Sequence, residues 1–70
     1  MTADEATRVR QGASTSTSPE MLRVLANDPS VTVRVSLALN PALPDQVSAM
    51  LAADTDERVR TILRDRKSVV

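Results

Sequence analysis

The chain contains no cysteine, no histidine, no aromatic residue and a single glycine among its 70 residues. Without cysteine there is no disulfide, iron–sulfur cluster or thiolate zinc site. Without histidine there is no Ser-His-Asp or Cys-His catalysis and no charge change near neutral pH. Without aromatics there is no platform for stacking bases. The core must also be thin, because Val, Ile, Leu and Met number only 20 and nine further apolar residues are alanine. Nine bases balance nine acids, so no net charge draws the chain to nucleic acid or membrane. These absences leave no catalytic constellation. The expected class is one small non-enzymatic domain without cofactor or metal.

The first residues are acidic where a secretory signal needs bases, and the uncharged stretches are too short to span a bilayer. A cytoplasmic chain with no membrane contact is the expectation. The charges are unevenly placed. Residues 1–57 carry four bases and eight acids, whereas residues 58–67 carry five bases and only Asp65. Such a basic end can dock on an acidic partner or on another copy. It also suits the negative pole of a terminal helix.

The main feature is an internal repeat. Asp-x-x-x-x-Val-Arg occurs at Asp4 to Arg10, Asp28 to Arg34 and Asp54 to Arg60, at spacings of 24 and 26 residues. Composition alone predicts roughly 0.1 such matches. Leu25-Ala26-Asn27-Asp28 answers Leu51-Ala52-Ala53-Asp54, and Leu37 answers Leu63. The first copy is degenerate, with Ala13 in the place of those leucines.

Each unit reads as two short helices. Ser18 is an N-cap before Pro19, and Pro44 suits a first helical position. Leu22 with Leu25, and Val47 with Met50 and Leu51, form apolar stripes at helical spacing. Asp28 and Asp54 are expected to cap the second helix of each unit, with Val33 and Leu37, then Val59, Ile62 and Leu63, as its stripe. Asn40-Pro41 ends a helix. Gly12 is expected to end the first helix as a left-handed residue. The boundaries are then a degenerate first helix over 1–12, a Ser/Thr tether over 13–17, repeats over 18–42 and 43–67, and a tail over 68–70. Helices this short require stacking to persist.

The runs Leu25-Ala26-Asn27-Asp28-Pro29, Val33-Arg34, Leu39-Asn40-Pro41-Ala42-Leu43-Pro44 and Leu51-Ala52-Ala53-Asp54 resemble the leucine-rich repeat variant (LRV) family, itself similar to HEAT and armadillo arrays. The resemblance covers about residues 18–66. It implies an all-α fold, a short α-solenoid of about two and a half two-helix repeats in which an α-helix alternates with a short α- or 3₁₀-helix. Ser14 to Thr17 and Arg64-Asp65-Arg66 depart from the family's linker. Some relatives carry a cysteine-ligated iron–sulfur segment, a function that cannot transfer to a chain without cysteine.

Asp4, Arg10, Asp28, Arg34, Asp54 and Arg60 are expected to form a structural ladder between repeats rather than an anion-binding ridge. Asp54, Asp56 and Glu57 lie in a first helical turn, where acids serve caps and the dipole better than metals. Ser14 to Ser18 reads as a tether and cap before it reads as a phosphorylation site. Met21 and Met50 are expected to fill the core, and Ser68-Val69-Val70 to fray or to pack on the last helix. Arg58, Arg64, Arg66 and Lys67 are the possible partner-binding residues.

So small an array has two open ends and no staple. Self-association through Val9, Val24, Val31, Val35 or Val69 would cover them. The function expected is a small protein-interaction module that docks a protein partner and forms a homodimer. The alternative is contact with a nucleic-acid backbone through the basic C-terminal helix, against which the balanced charge stands.

Overall fold

The structure is a computed structural model that describes residues 4–68, and of residues 67 and 68 only the backbone. Its five helices are α1 (Glu5–Ala13), α2 (Pro19–Leu25), α3 (Val31–Ala38), α4 (Asp45–Ala52) and α5 (Glu57–Ser68). The described residues contain no strand and no 3₁₀-helix, so the chain is all-α. Val69 lies outside them, as does the Lys67 side chain.

The helices form two rows. α1 packs on α3 and α3 on α5, while α2 and α4 lie side by side behind them and fill the angles of the first row. The core runs between the rows. It consists of Leu22, Leu25 and Ala26 from the α2 region, Val33, Leu37 and Ala38 from α3, Val47 and Leu51 from α4, and Val59 and Leu63 from α5. The apolar stripes read from helical spacing all face it, with Met50 and Ile62 half-buried at its margin. Met21 departs from that expectation: it is exposed, because on α2 the adjacent Leu22 takes the inward position.

Local chemistry sets the ends. Asp4 caps α1 by accepting from the Thr7 N–H (2.8 Å), and Ser18 caps α2 by accepting from the Met21 N–H (3.2 Å) with Pro19 at its first turn. Two expected caps shift by two residues. Ser30, not Asp28, caps α3 through the Val33 N–H, and Asp56, not Asp54, accepts from the Arg58 N–H at the start of α5. Asp28 and Asp54 instead accept from the backbone N–H two residues on, at 2.9 and 2.8 Å. That turn aims each chain into the next helix. The Ser14 to Thr17 run is hydrogen-bonded: Thr17 Oγ1 donates to the Gln11 carbonyl at 2.6 Å.

Gly12 does not end α1 in a left-handed conformation. No described glycine has positive φ, and Gly12 lies buried inside the helix. It is glycine because α3 passes over it. A Cβ there would run into Ser36 Oγ and come within 3.4 Å of the Val33 carbonyl oxygen. Gly12→Ala would gain about 1 kcal/mol of helix propensity but overpack the contact by about 1–3 kcal/mol. We therefore expect a net loss of about 1 kcal/mol in urea unfolding. Adding Ser36→Ala, which removes the clashing hydroxyl, should restore parental stability or better.

Candidate functional site

The repeat motif is a joint. Arg34 reaches in two directions: Nε donates to Asp54 Oδ2 at 2.8 Å, and NH1 donates to the Asp28 carbonyl at 2.6 Å. Arg60 donates in the same way to the Asp54 carbonyl at 2.5 Å. Arg34 and Arg60 thus each close on the carbonyl of the aspartate six residues earlier, while the carboxylates of Asp28 and Asp54 each receive an arginine from the preceding unit. The first such pair involves Arg8, whose Nε donates to Asp28 Oδ2 at 2.7 Å. Arg10, the expected ladder residue, is exposed and donates to Thr7 Oγ1 within its own helix.

The correction has a simple origin. The structural period is 26 residues throughout. It relates Arg8, Arg34 and Arg60; the caps Asp4, Ser30 and Asp56; and Asp28 with Asp54. The Asp-x-x-x-x-Val-Arg match sets the first copy two residues late. A search at constant spacing would have found Arg8.

A second pair of ties follows the same period. Asn40 is fully buried, and its Nδ2 donates to the Gly12 and Ser14 carbonyls at 2.8 and 3.0 Å while its Oδ1 accepts from the Ala42 N–H. Arg66 stands 26 residues later and donates to the Ala38 carbonyl at 2.8 Å. Arg66 thus donates to a carbonyl at the position where Asn40 does so one period earlier. These bonds occupy the carbonyls that a helix end leaves without intrahelical partners. Arg66, expected as a partner-binding base, has this structural bond.

The remaining bases do not converge. At 100° per residue Arg58 and Arg66 lie on one side of α5, and Arg60 and Arg64 on the other. Arg58 is 73 % exposed and pairs with Asp56 at 3.0 Å. Among the described residues no group of acidic side chains is arranged to hold a metal ion. Asp54 and Asp56 are engaged by backbone N–H groups and arginines.

Between α3 and α5 the surface opens. One hollow of about 510 Å³ is lined by Val31, Val35, Glu57, Arg58, Thr61 and Ile62, and another of about 630 Å³ by Ala38, Leu39, Pro41, Ile62, Asp65 and Arg66. Ile62 belongs to both, so they form one groove. Its floor is the row formed by Val31 and Val35 on α3 and by Leu39, the C-cap just past its end, which is 62 % exposed. The 26-residue period explains why the groove lies here and not between α1 and α3. There, Gly12 meets Ser36 and Glu5 accepts from the Ser30 hydroxyl at 2.7 Å, so the helices close up. The matching positions one period later are Ala38 for Gly12, Ile62 for Ser36 and Val31 for Glu5: the first two are bulkier and the third cannot make the polar clasp. Val31 and Val35 were legible as candidate contact residues; Leu39 and Ile62 were not, because neither marks a groove until α3 and α5 are set side by side.

No helix of the described residues is long and apolar enough to cross a membrane. No family model, no curated protein and no solved structure matches the chain.

Asp54 and Arg34 are both largely buried, with side chains 4 % and 13 % exposed. Removing one partner strands the other charge at a cost of about 3–5 kcal/mol. Arg34→Met should thus unfold most of the protein in a thermal melt. Pairing it with Asp54→Asn should recover more than half of that loss, the signature of coupling. Acid should act on Asp28, Asp56 and Asp4. Asp28 is pushed up by burial, but the Arg8 and Ser30 hydrogen bonds outweigh this and hold it below 3.8. Asp56 is lowered to about 2 by Arg58, and Asp4 is lowered by the Thr7 N–H. Depressed carboxylates stabilise the fold above their unfolded values and lose that effect as pH falls through the folded ones. Helicity should be level from about pH 7 to 5, decline below about 4 and collapse toward about 2.

Proposed function

We propose that this chain is a short two-row helical repeat of the LRV or HEAT-like kind that works as a non-catalytic protein-docking module. The constant 26-residue recurrence of caps, arginine joints and carbonyl ties supports the repeat reading. Such arrays bind proteins on a surface built by neighbouring units, with function residing in that surface rather than in the fold. The observation that carries the proposal is the α3/α5 groove, an apolar floor with charged residues at both ends. Aliphatic side chains flanked by salt-bridging groups suit the apolar face of a partner helix. The reading is of a cytoplasmic module without cofactor.

Nucleic-acid contact through α5 has less support. Arg58 and Arg66 line the groove beside Glu57 and Asp65, and they face away from Arg60 and Arg64, so no continuous basic track forms.

A photoreactive residue in place of Leu39 tests this against one in place of Val24, which is 65 % exposed on α2. Polypeptide adducts should form from position 39 and not from position 24, and a duplex DNA titration at low salt should show no saturable binding. Equal adducts at both positions, or saturable duplex binding that weakens steeply with salt, would overturn the reading.

A further inference from the structure

We propose that the occupant of the α3/α5 groove is the same groove of a second copy, docked antiparallel about a two-fold axis. This rests on the docking-module reading and names its partner.

The argument starts from the placement of charge. Each end of the groove carries one acid and one base, both on α5: Glu57 and Arg58 at one end, Asp65 and Arg66 at the other. Two ways of laying the groove face to face on itself have two-fold symmetry. In the parallel one, the axis runs along the groove and sets α5 on the aliphatic row of the second copy, so its charged groups meet no partner. In the antiparallel one α5 lies on α5, and Arg58 faces Asp65 of the second copy, twice over. Charges covered without partners are strongly disfavoured, so the charges select the antiparallel arrangement.

The apolar floor gives the same answer independently. Val31, Val35 and Leu39 are spaced by one turn each along α3 and its C-cap. Antiparallel docking sets Val35 on Val35 and each Val31 on the opposite Leu39. The axis that does this passes beside Val35. The axis that pairs the charges passes between Thr61 and Ile62. Position 61 is one 26-residue period beyond position 35, so both requirements place the axis within about 1 Å of the same level along the helices, at 1.5 Å rise per residue. One symmetry operation satisfies both rows. An isologous contact needs this self-complementarity.

Size and access are adequate. Arg58 is held only by an exposed pair with Asp56, which contributes little and can be exchanged. The half-buried bond of Arg66 uses NH1, and the guanidinium retains other N–H donors. A standard interface takes about 800 Å² from each partner, roughly a sixth of the 4548 Å² surface of this chain. The docked grooves would cover Leu39, the most exposed residue of the floor.

The native absence of cysteine makes a direct test possible. Val35→Cys places a thiol beside the axis, where the two copies can form a disulfide on mild oxidation. Val31→Cys places it one turn away, about 6 Å from the axis and at least about 12 Å from its mate. We expect covalent dimer from the first variant and little from the second, with an equimolar mixture of Val31→Cys and Leu39→Cys chains also cross-linking. Light scattering of the unmodified full chain from about 1 μM to about 1 mM should show molar mass rising from 7.6 kDa toward twice that value. Leu39→Glu should weaken the dimer at least tenfold with helicity retained. Arg58→Glu should weaken it severalfold, and adding Asp65→Arg should restore it.

Cross-linking at position 31 as readily as at 35 would overturn the antiparallel arrangement. A dimer indifferent to Leu39→Glu would overturn the groove as its interface. A helical monomer at every concentration would overturn the second copy as occupant. The docking-module reading would then stand or fall by whether position 39 captures other polypeptides.

Discussion

Arg34 sits where three segments meet. One end of its guanidinium closes on the backbone of Asp28 and the other on the carboxylate of Asp54, with little solvent around either. The bond to Asp28 ties α3 to the turn that starts it. The bond to Asp54 ties the same helix to the turn that starts α5. The spacing of α3 and α5, and hence the groove between them, depends on this side chain. Arg8 does the same for α1 on Asp28, and Arg60 repeats the inner half of the bond at the far end. A core of Val, Leu and Ala with no aromatic ring has no single large residue to lock helix register. The charged joints supply that register.

From this joint the two helix interfaces diverge by the residues beside it. At α1 and α3 a glycine, a serine and a Glu5–Ser30 clasp draw the helices together. At α3 and α5 the corresponding places hold alanine, isoleucine and valine. Bulk at the contact separates the helices and leaves an apolar furrow with charged ends. The repeat is therefore regular in its hydrogen bonds and irregular in its packing. The proposed docking role rests on that irregularity, since a uniformly closed array would offer no furrow.

The same kind of bond engages other charged groups. The acids that cluster at the start of α5 are turn and cap residues. Arg66, one of the four bases expected to meet a partner, holds the end of α3. What is left facing outward in quantity is aliphatic surface between α3 and α5, together with Met21 and Val24 on α2.

The sequence by itself determined the all-helical class, the cap at Ser18, the stop at Asn40-Pro41 and every buried stripe from Leu22 to Leu63. These depend on neighbours within about four residues, so spacing along the chain reveals them. It also exposed the repeat, though with the first copy two residues out of step. Only the tertiary structure decided that Arg8 and not Arg10 joins Asp28, that Ser30 and Asp56 are the caps, and that Gly12 is a contact point rather than a terminus. The same is true of Asn40 and Arg66, unlike residues that perform one task on carbonyls 28 positions away. The physical reason is that a hydrogen bond between units needs a donor at the right place in space. Several residue types can provide it, so the pattern is carried by geometry and not by residue identity.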